Sequence, residues 1–264
     1  MRHNTTAEVS SLERGRQVLE WLSQMPGGEA RVREMTEALG IPRASLYRII
    51  KSLLSAGWIE ETVKGGKYRM GQGLAALGLA ARANCPLVHA ARPVLQEIAQ
   101  ETHNMSELVV TVSPTKMLVL DCWCTEQTAL SVAEHYGETF PLNHIMTHGR
   151  CFVYFDGKNR LERYLRFISN PENMRACGVE KAPRQDAMRE DAERKRKLGY
   201  LCGWRTHHPE LARVAVPVFD PRSSQTRMVC SLGVACRPEH LTQTRAATYG
   251  LQLQRWARQL EARL

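Results

Sequence analysis

No stretch of the chain approaches the roughly 18 consecutive apolar residues that a membrane-spanning helix needs, so neither a transmembrane protein nor a membrane partner is expected. The opening residues, MRHNTTAEVSSLERG, have no apolar centre and do not read as a secretory signal. None of the eight cysteines (Cys85, Cys122, Cys124, Cys151, Cys177, Cys202, Cys230 and Cys236) stands in a C-x-x-C pair. They read as reduced thiols of a cytoplasmic protein rather than as a disulfide framework or a zinc site. G-x-S-x-G, the P-loop and H-E-x-x-H are missing too. No common hydrolase, nucleotide or zinc-protease signature therefore argues for an enzyme, and no cofactor is called for.

What is present is a 264-residue chain, 43% hydrophobic and 24% charged, with a formal charge of +9. That length suits about two domains and a sizeable core, and the composition lies outside the disordered range. A basic balance invites nucleic acid as a partner. However, the first 75 residues hold eleven basic and eight acidic side chains, so the excess is spread and locates no binding face.

The N-terminal pattern is more specific. Leu12, Val18, Leu19 and Leu22 fall at helical spacing over residues 11–24, and Pro26-Gly27-Gly28 stops that helix. Val32, Met35 and Leu39 mark a short second helix with Gly40 as its left-handed cap. Pro42 suits the first turn of a third helix, which buries Leu46, Ile49, Ile50, Leu53 and Leu54 and ends at Gly57. Extended residues 58–63, a Lys64-Gly65-Gly66-Lys67 turn and a returning Tyr68-Arg69-Met70 complete a winged helix-turn-helix.

In such a unit the third helix reads DNA. Its outer face carries Arg43, Ala44, Ser45, Tyr47, Arg48 and Lys51. Arg43, Ser45 and Tyr47, nearest the N-terminus, are the candidates for base edges. Arg48 and Lys51, with Lys64 and Lys67 on the wing, suit phosphates. Ala44 and, on the second helix, Thr36 join the candidate contact set. The competing reading is a solvated basic helix face, which the adjoining wing disfavours.

The stretch RVREMTEALGIPRASLYRIIKSLLSAGWIEE, followed by GGKYRMGQGLAALG, resembles the DNA-binding domain of IclR-type transcription regulators. The matching residues are Ala38, Gly40, Pro42, Ser45, Arg48, Leu53, Gly57 and Tyr68-Arg69-Met70-Gly71. The resemblance continues to the end of the chain. It implies a DNA-binding domain at 1–72, a linker helix at 73–85 and an effector-binding domain at 86–264. It also implies self-association, as a dimer or dimer of dimers, through the linker helices. Operator DNA and a small effector would be partners, with RNA polymerase added if the protein activates.

After residue 105 the pattern turns to strands, at 105–112, 116–124, 129–136, 200–206, 211–219 and 226–236. Helices are expected at 152–168 and 184–198, with a closing helix after Pro238. This makes an α+β domain on an antiparallel sheet. It resembles the family's GAF/PAS-like effector domain in Gly137, Pro141-Leu142, Thr147-His148-Gly149-Arg150, Gly199-Tyr200, Val214–Val218 and Ser231–Val234. By that resemblance Leu142, Met146, Thr147, Gly149, Arg150, Ala215 and Gly233 would border the effector. Arg213 departs from the family, standing where Ser or Cys is common, as Gly233 and Ala235 stand in place of serines.

Planar arginines suggest a carboxylate clamp. Arg205 and Arg213 lie on adjacent expected strands, and Trp123, Trp204, Met146 and Leu142 offer walls for an aromatic ring. The strand Ala215-Val216-Pro217-Val218 resembles that of family members governing aromatic-compound catabolism, and this resemblance implies an aromatic acid as the effector. The alternatives are solvent-facing arginines with core tryptophans, or a second domain that only dimerises. His144-x-x-x-His148-x-x-Cys151 has the spacing of a metal site on a helix or of a thiol–imidazole pair, but Pro141 and Gly149 bracket the segment and argue against a helix, so pocket lining or a satisfied histidine is favoured.

Overall fold

A computed structural model describes residues 10–63, 66–125, 137–157, 159–204, 210–224 and 227–264. The chain divides into two compact units at Asn84/Cys85. No helix among the described residues is long and apolar enough to cross a membrane.

The first unit begins with α1 (Ser11–Leu22), α2 (Val32–Leu39) and α3 (Arg43–Ser55). Ser10 caps α1, its Oγ accepting the Glu13 N–H at 3.2 Å. Gly40 ends α2 at φ 64°, a conformation that glycine adopts without a Cβ penalty. Helix α3 starts at Arg43, with Pro42 as its N-cap. Val18, Leu22, Met35, Leu46, Ile50 and Ile59 close the core, each at most 2% exposed. The wing consists of β2 (Ile59–Val63) and β3 (Lys67–Met70), and β3 also pairs with β1 (Glu29–Arg31). Strand β1 is too short for its alternation to register in the sequence. Gly71 and Gly73 pass so close to Gly57 that an added Cβ would meet its carbonyl oxygen at 2.4 and 2.6 Å. Then comes α4 (Gln72–Ala83), which has no buried residue and exposes Leu77 and Leu79.

The second unit is built on a six-stranded antiparallel sheet in the order β6-β5-β4-β9-β8-β7. These are β4 (Met105–Thr111), β5 (Lys116–Trp123), β6 (Thr139–Pro141), β7 (Leu201–Trp204), β8 (Ala212–Phe219) and β9 (Met228–Cys236). One face packs on α5 (Pro86–Thr102) and α10 (Gln243–Glu261), around Leu95, Ile98, Val214, Val216, Leu232 and Trp256. The other face carries α6 (Thr147–Phe155), α7 (Arg160–Ile168) and α9 (Gln185–Leu198), around Met117, Val119, Phe152, Tyr164 and Met188. Because both faces are covered, β8 is buried along nearly its whole length.

Three expectations change. The single helix at 152–168 is two helices, broken near Gly157, whose φ of 78° cannot continue a right-handed helix. Helix α6 also begins earlier, at Thr147, with Gly149 inside it. A short α8 (Pro171–Ala176) and strand β6 were not foreseen. The strand expected at 129–136 lies outside the described residues.

Candidate functional site

In the first unit the exposed arc of α3 carries Arg43, Ala44, Tyr47, Arg48 and Lys51. Arg43 Nη2 donates to Tyr47 Oη at 3.3 Å, and its guanidinium lies 5.6 Å from the tyrosine ring centroid. The two residues are one turn apart and form one unit. Both line a cleft of about 560 Å³ between α2, α3 and the wing, with Arg31, Arg33 and Lys67 on its other walls. Sequence reading passed over Arg31 and Arg33, although the run Arg31-Val32-Arg33 was the available signal. Ser45 is half-buried, and Arg48 Nη2 donates to its hydroxyl at 3.4 Å. Both line a groove toward α1 instead of the wing cleft. The Thr36 hydroxyl donates to Val32 O at 2.8 Å within its own helix. Lys67 is ion-paired with Glu29, which also accepts from Thr62 Oγ1 at 2.8 Å. Lys64 lies outside the described residues.

In the second unit, strand alternation sends Glu107 and Val109 of β4, Arg213 and Ala215 of β8, and Ser231 and Gly233 of β9 toward α6. Arg213 points inward and is 6% exposed, so for this arginine the solvent-facing alternative does not hold. Its Nε donates to both Glu107 oxygens, at 3.0 and 3.3 Å. Neither Nη has a hydrogen-bond partner among the described residues. His148 of α6 bridges Glu107 Oε2 (Nε2, 3.1 Å) and Ser231 Oγ (Nδ1, 2.8 Å). Burial alone would raise the Glu107 carboxyl; Arg213 and His148 outweigh it and hold the group well below the ordinary carboxylate range. His148 therefore donates from Nε2, since an ionised carboxylate only accepts.

Glu107, Arg213 and His148 line a small cavity of about 10 Å³, room for one water-sized group, whose other walls include Val109, Met117, Val119, Phe140 and Met146. Thr147, in the first turn of α6, also lines it. Among the described residues its buried hydroxyl has no hydrogen-bond partner. Met146 caps α6 with no side-chain acceptor, so the first N–H groups of the helix carry their partial positive charge toward this end.

Asn143 fixes the segment before α6. Its Oδ1 accepts from the N–H groups of Ile145 and Met146 at 2.9 and 3.0 Å, and its Nδ2 donates to Cys177 O at 2.9 Å. Gly149 makes this approach possible, because an added Cβ would sit 2.1 Å from Asn143 O. Gly149→Ala is expected to cost about 1–3 kcal/mol by overpacking, read as a lower denaturant midpoint for the second unit.

Several expected effector contacts fall elsewhere. Trp123 packs in the cluster on the α5/α10 face, and Trp204 donates Nε1–H to Leu241 O at 2.7 Å. Both leave the cavity because a strand's alternate side chains take opposite faces. Leu142 and Ala215 are fully buried in the apolar cluster on the α6 face and are not among the residues lining the cavity. Arg150 donates to Cys202 O at 2.6 Å and joins α6 to β7. Gly233 makes room for His148, whose Cε1 an added Cβ would meet at 2.6 Å. Arg205 lies outside the described residues.

His144 turns away to Tyr164, its Nδ1 3.0 Å from the Oη, so it shares no ligand geometry with His148. Among the described residues no cluster of three His, Cys, Asp or Glu side chains is disposed to hold a metal. Burial pushes the Cys151 thiol up to about 12, which disfavours a thiolate nucleophile.

A winged helix-turn-helix followed by a domain with a polar-ended cavity defines a DNA-binding transcription regulator with an effector-binding domain. The family model for the IclR helix-turn-helix domain matches residues 11–62, and that for the bacterial transcriptional regulator IclR C-terminal domain matches 80–262. The chain belongs to the IclR family of transcription regulators and is not an enzyme. It is 23% identical over 259 residues to the transcriptional repressor IclR of Escherichia coli (strain K12), covering 97% of this chain and 90% of that one. Its fold matches an IclR family regulator from Brucella abortus at TM-score 0.78 and 19% identity, over 98% and 94% of the two chains. It also matches an IclR homolog complexed with 4-hydroxybenzoate from Microbacterium hydrocarbonoxydans at TM-score 0.67 and 18% identity, over 97% and 99%.

Proposed function

We propose that this cytoplasmic regulator binds an operator as a homodimer, or a dimer of dimers, and releases or engages it in response to a small acidic effector. Arg43 and Tyr47 read base edges beside Ala44, while Arg48, Lys51 and Lys64 neutralise phosphates. Arg31 and Arg33 extend the basic cleft beyond the residues legible in the sequence. If the effector promotes transcription, RNA polymerase is the further partner.

The observation that carries the effector half is the orphaned Thr147 hydroxyl at an uncapped helix N-terminus, in one cavity with Arg213. Buried polar groups are rarely left unpaired. A carboxylate accepts from the hydroxyl, from the first N–H groups of α6 and from the Nη pair of Arg213. The apolar walls then suit a ring, and the relative named with 4-hydroxybenzoate supports an aromatic acid. A ligand of that size enters only if the segment carrying Phe140 and Met146 moves aside.

DNase I footprinting of the protein's own upstream region at modest ionic strength tests the reading. Expected is a protected, roughly palindromic site with half-sites a helical turn or a multiple apart, whose protection changes when an aromatic acid is added. No footprint at any protein concentration overturns it.

Helix α4 is the proposed dimer contact, because Leu77 and Leu79 stand 51% and 63% exposed. Leu77→Glu with Leu79→Glu is expected to shift sedimentation toward the monomer and to weaken operator binding. An unchanged oligomer assigns self-association to another surface.

A further inference from the structure

The cavity's charges are already balanced before any effector arrives. Glu107 and Arg213 are 1% and 6% exposed and neutralise each other across β4 and β8. A carboxylate added to this site brings a second negative charge into a place with almost no solvent. Burying an unpaired charge is costly, and a nearby group that changes its protonation state removes that cost.

His148 is built to be that group. Its Nε2–H is fixed on Glu107, so any added proton goes to Nδ1, 2.8 Å from Ser231 Oγ. Ser231 Oγ also lies 3.4 Å from Val216 O. With neutral His148 the serine hydroxyl donates to Nδ1. With the proton on Nδ1, His148 donates to Ser231, and the hydroxyl hydrogen turns to the Val216 carbonyl. Only one O–H rotates, and no heavy atom must move.

Among the described ionisable groups on the packed elements, Cys151 of α6 shares Ser231, as a buried thiol that keeps its proton, and the others are engaged elsewhere. Arg150 bonds to Cys202 O. On α7, Tyr164 holds His144; on α9, Asp191 holds Tyr154. Asp121 of β5 is paired with Arg92.

We propose that the effector is bound together with one proton: an acidic ligand on Thr147 and Arg213 and a proton from solvent on His148 Nδ1. The bound site then holds two negative and two positive charges. The regulator consequently responds to an organic acid more strongly as the surroundings acidify. This rests on the acidic-effector reading above and adds its stoichiometry.

The test is calorimetric titration of the full-length protein with benzoate and 4-hydroxybenzoate between pH 6 and 8.5. Phosphate and Tris supply different ionisation heats, and benzamide serves as the uncharged control. Expected is uptake of close to one proton per acid bound at the alkaline end, with Kd weakening toward about tenfold per pH unit there. His148→Gln, which keeps an N–H toward Glu107, is expected to bind the acids with no proton uptake and no pH slope. Acid binding by the wild-type protein with equal heats in both buffers and a flat Kd overturns the proton coupling while leaving the acidic effector standing. Binding of benzamide with no binding of either acid, or binding of none of the three, overturns the acidic effector and the coupling with it.

Discussion

Glu107→Leu alone and Arg213→Met alone are each expected to cost the second domain about 3–5 kcal/mol, while the double variant recovers part of the loss. Each single change leaves the opposite charge in a nearly dry site. With Glu107 gone, Arg213 Nε loses its acceptor. With Arg213 gone, Glu107 keeps only the His148 Nε2–H. Removing both exchanges the ion pair for apolar contacts with Val109, Met117 and Val119, which already line the cavity, but leaves the His148 Nε2–H without its acceptor, so the recovery is partial. Denaturant melts of the four proteins give the coupling directly. Two additive losses would show that the pair is not a unit.

The pH dependence has a definite sign. Glu107 titrates below its ordinary range when folded, so its stabilisation is complete above the unfolded carboxylate value of about 4.3 and fades as pH falls toward the folded one. The wild-type domain is therefore expected to lose more stability between pH 5 and 3 than the double variant does.

The sequence exposed the reading head much more fully than the cavity. The α3 stripe of Leu46, Ile49, Ile50 and Leu53 has one helical period, and Gly40 and Gly57 punctuate it, so local rules determine the element. In the second domain those rules run short. Strand β8 alternates Arg213 and Ala215 with Val214 and Val216, but a sheet covered on both faces has no polar side to say which set faces the ligand. Trp123 and Trp204 were placed beside the cavity on that ambiguity, and both lie on the other face. Glu107 escaped notice because its partners, His148 and Arg213, are 41 and 106 positions away. Thr147 was picked out by resemblance, whereas its meaning as an unpaired buried hydroxyl exists only in three dimensions.

Arg43→Ala is expected to relax operator preference at a single base pair, with a loss of about 1–3 kcal/mol there and little elsewhere. Arg43 opens α3, is exposed, and makes no ion pair with a described carboxylate; Tyr47 steadies it through its hydroxyl and its ring. A guanidinium held in that way costs less to order on guanine than a free one. Tyr47→Phe removes the hydroxyl and keeps the ring, so it should blunt the same base preference by a smaller amount. Lys67 gives the contrast. Its charge is already matched by Glu29, so Lys67→Ala should change the salt dependence of binding by less than the roughly one unit expected for a free phosphate contact. Affinity measured on an operator library with every position varied, at two salt concentrations, separates these roles. Uniform weakening across all sequences after Arg43→Ala would move Arg43 to the phosphates and leave base reading to other residues of the cleft.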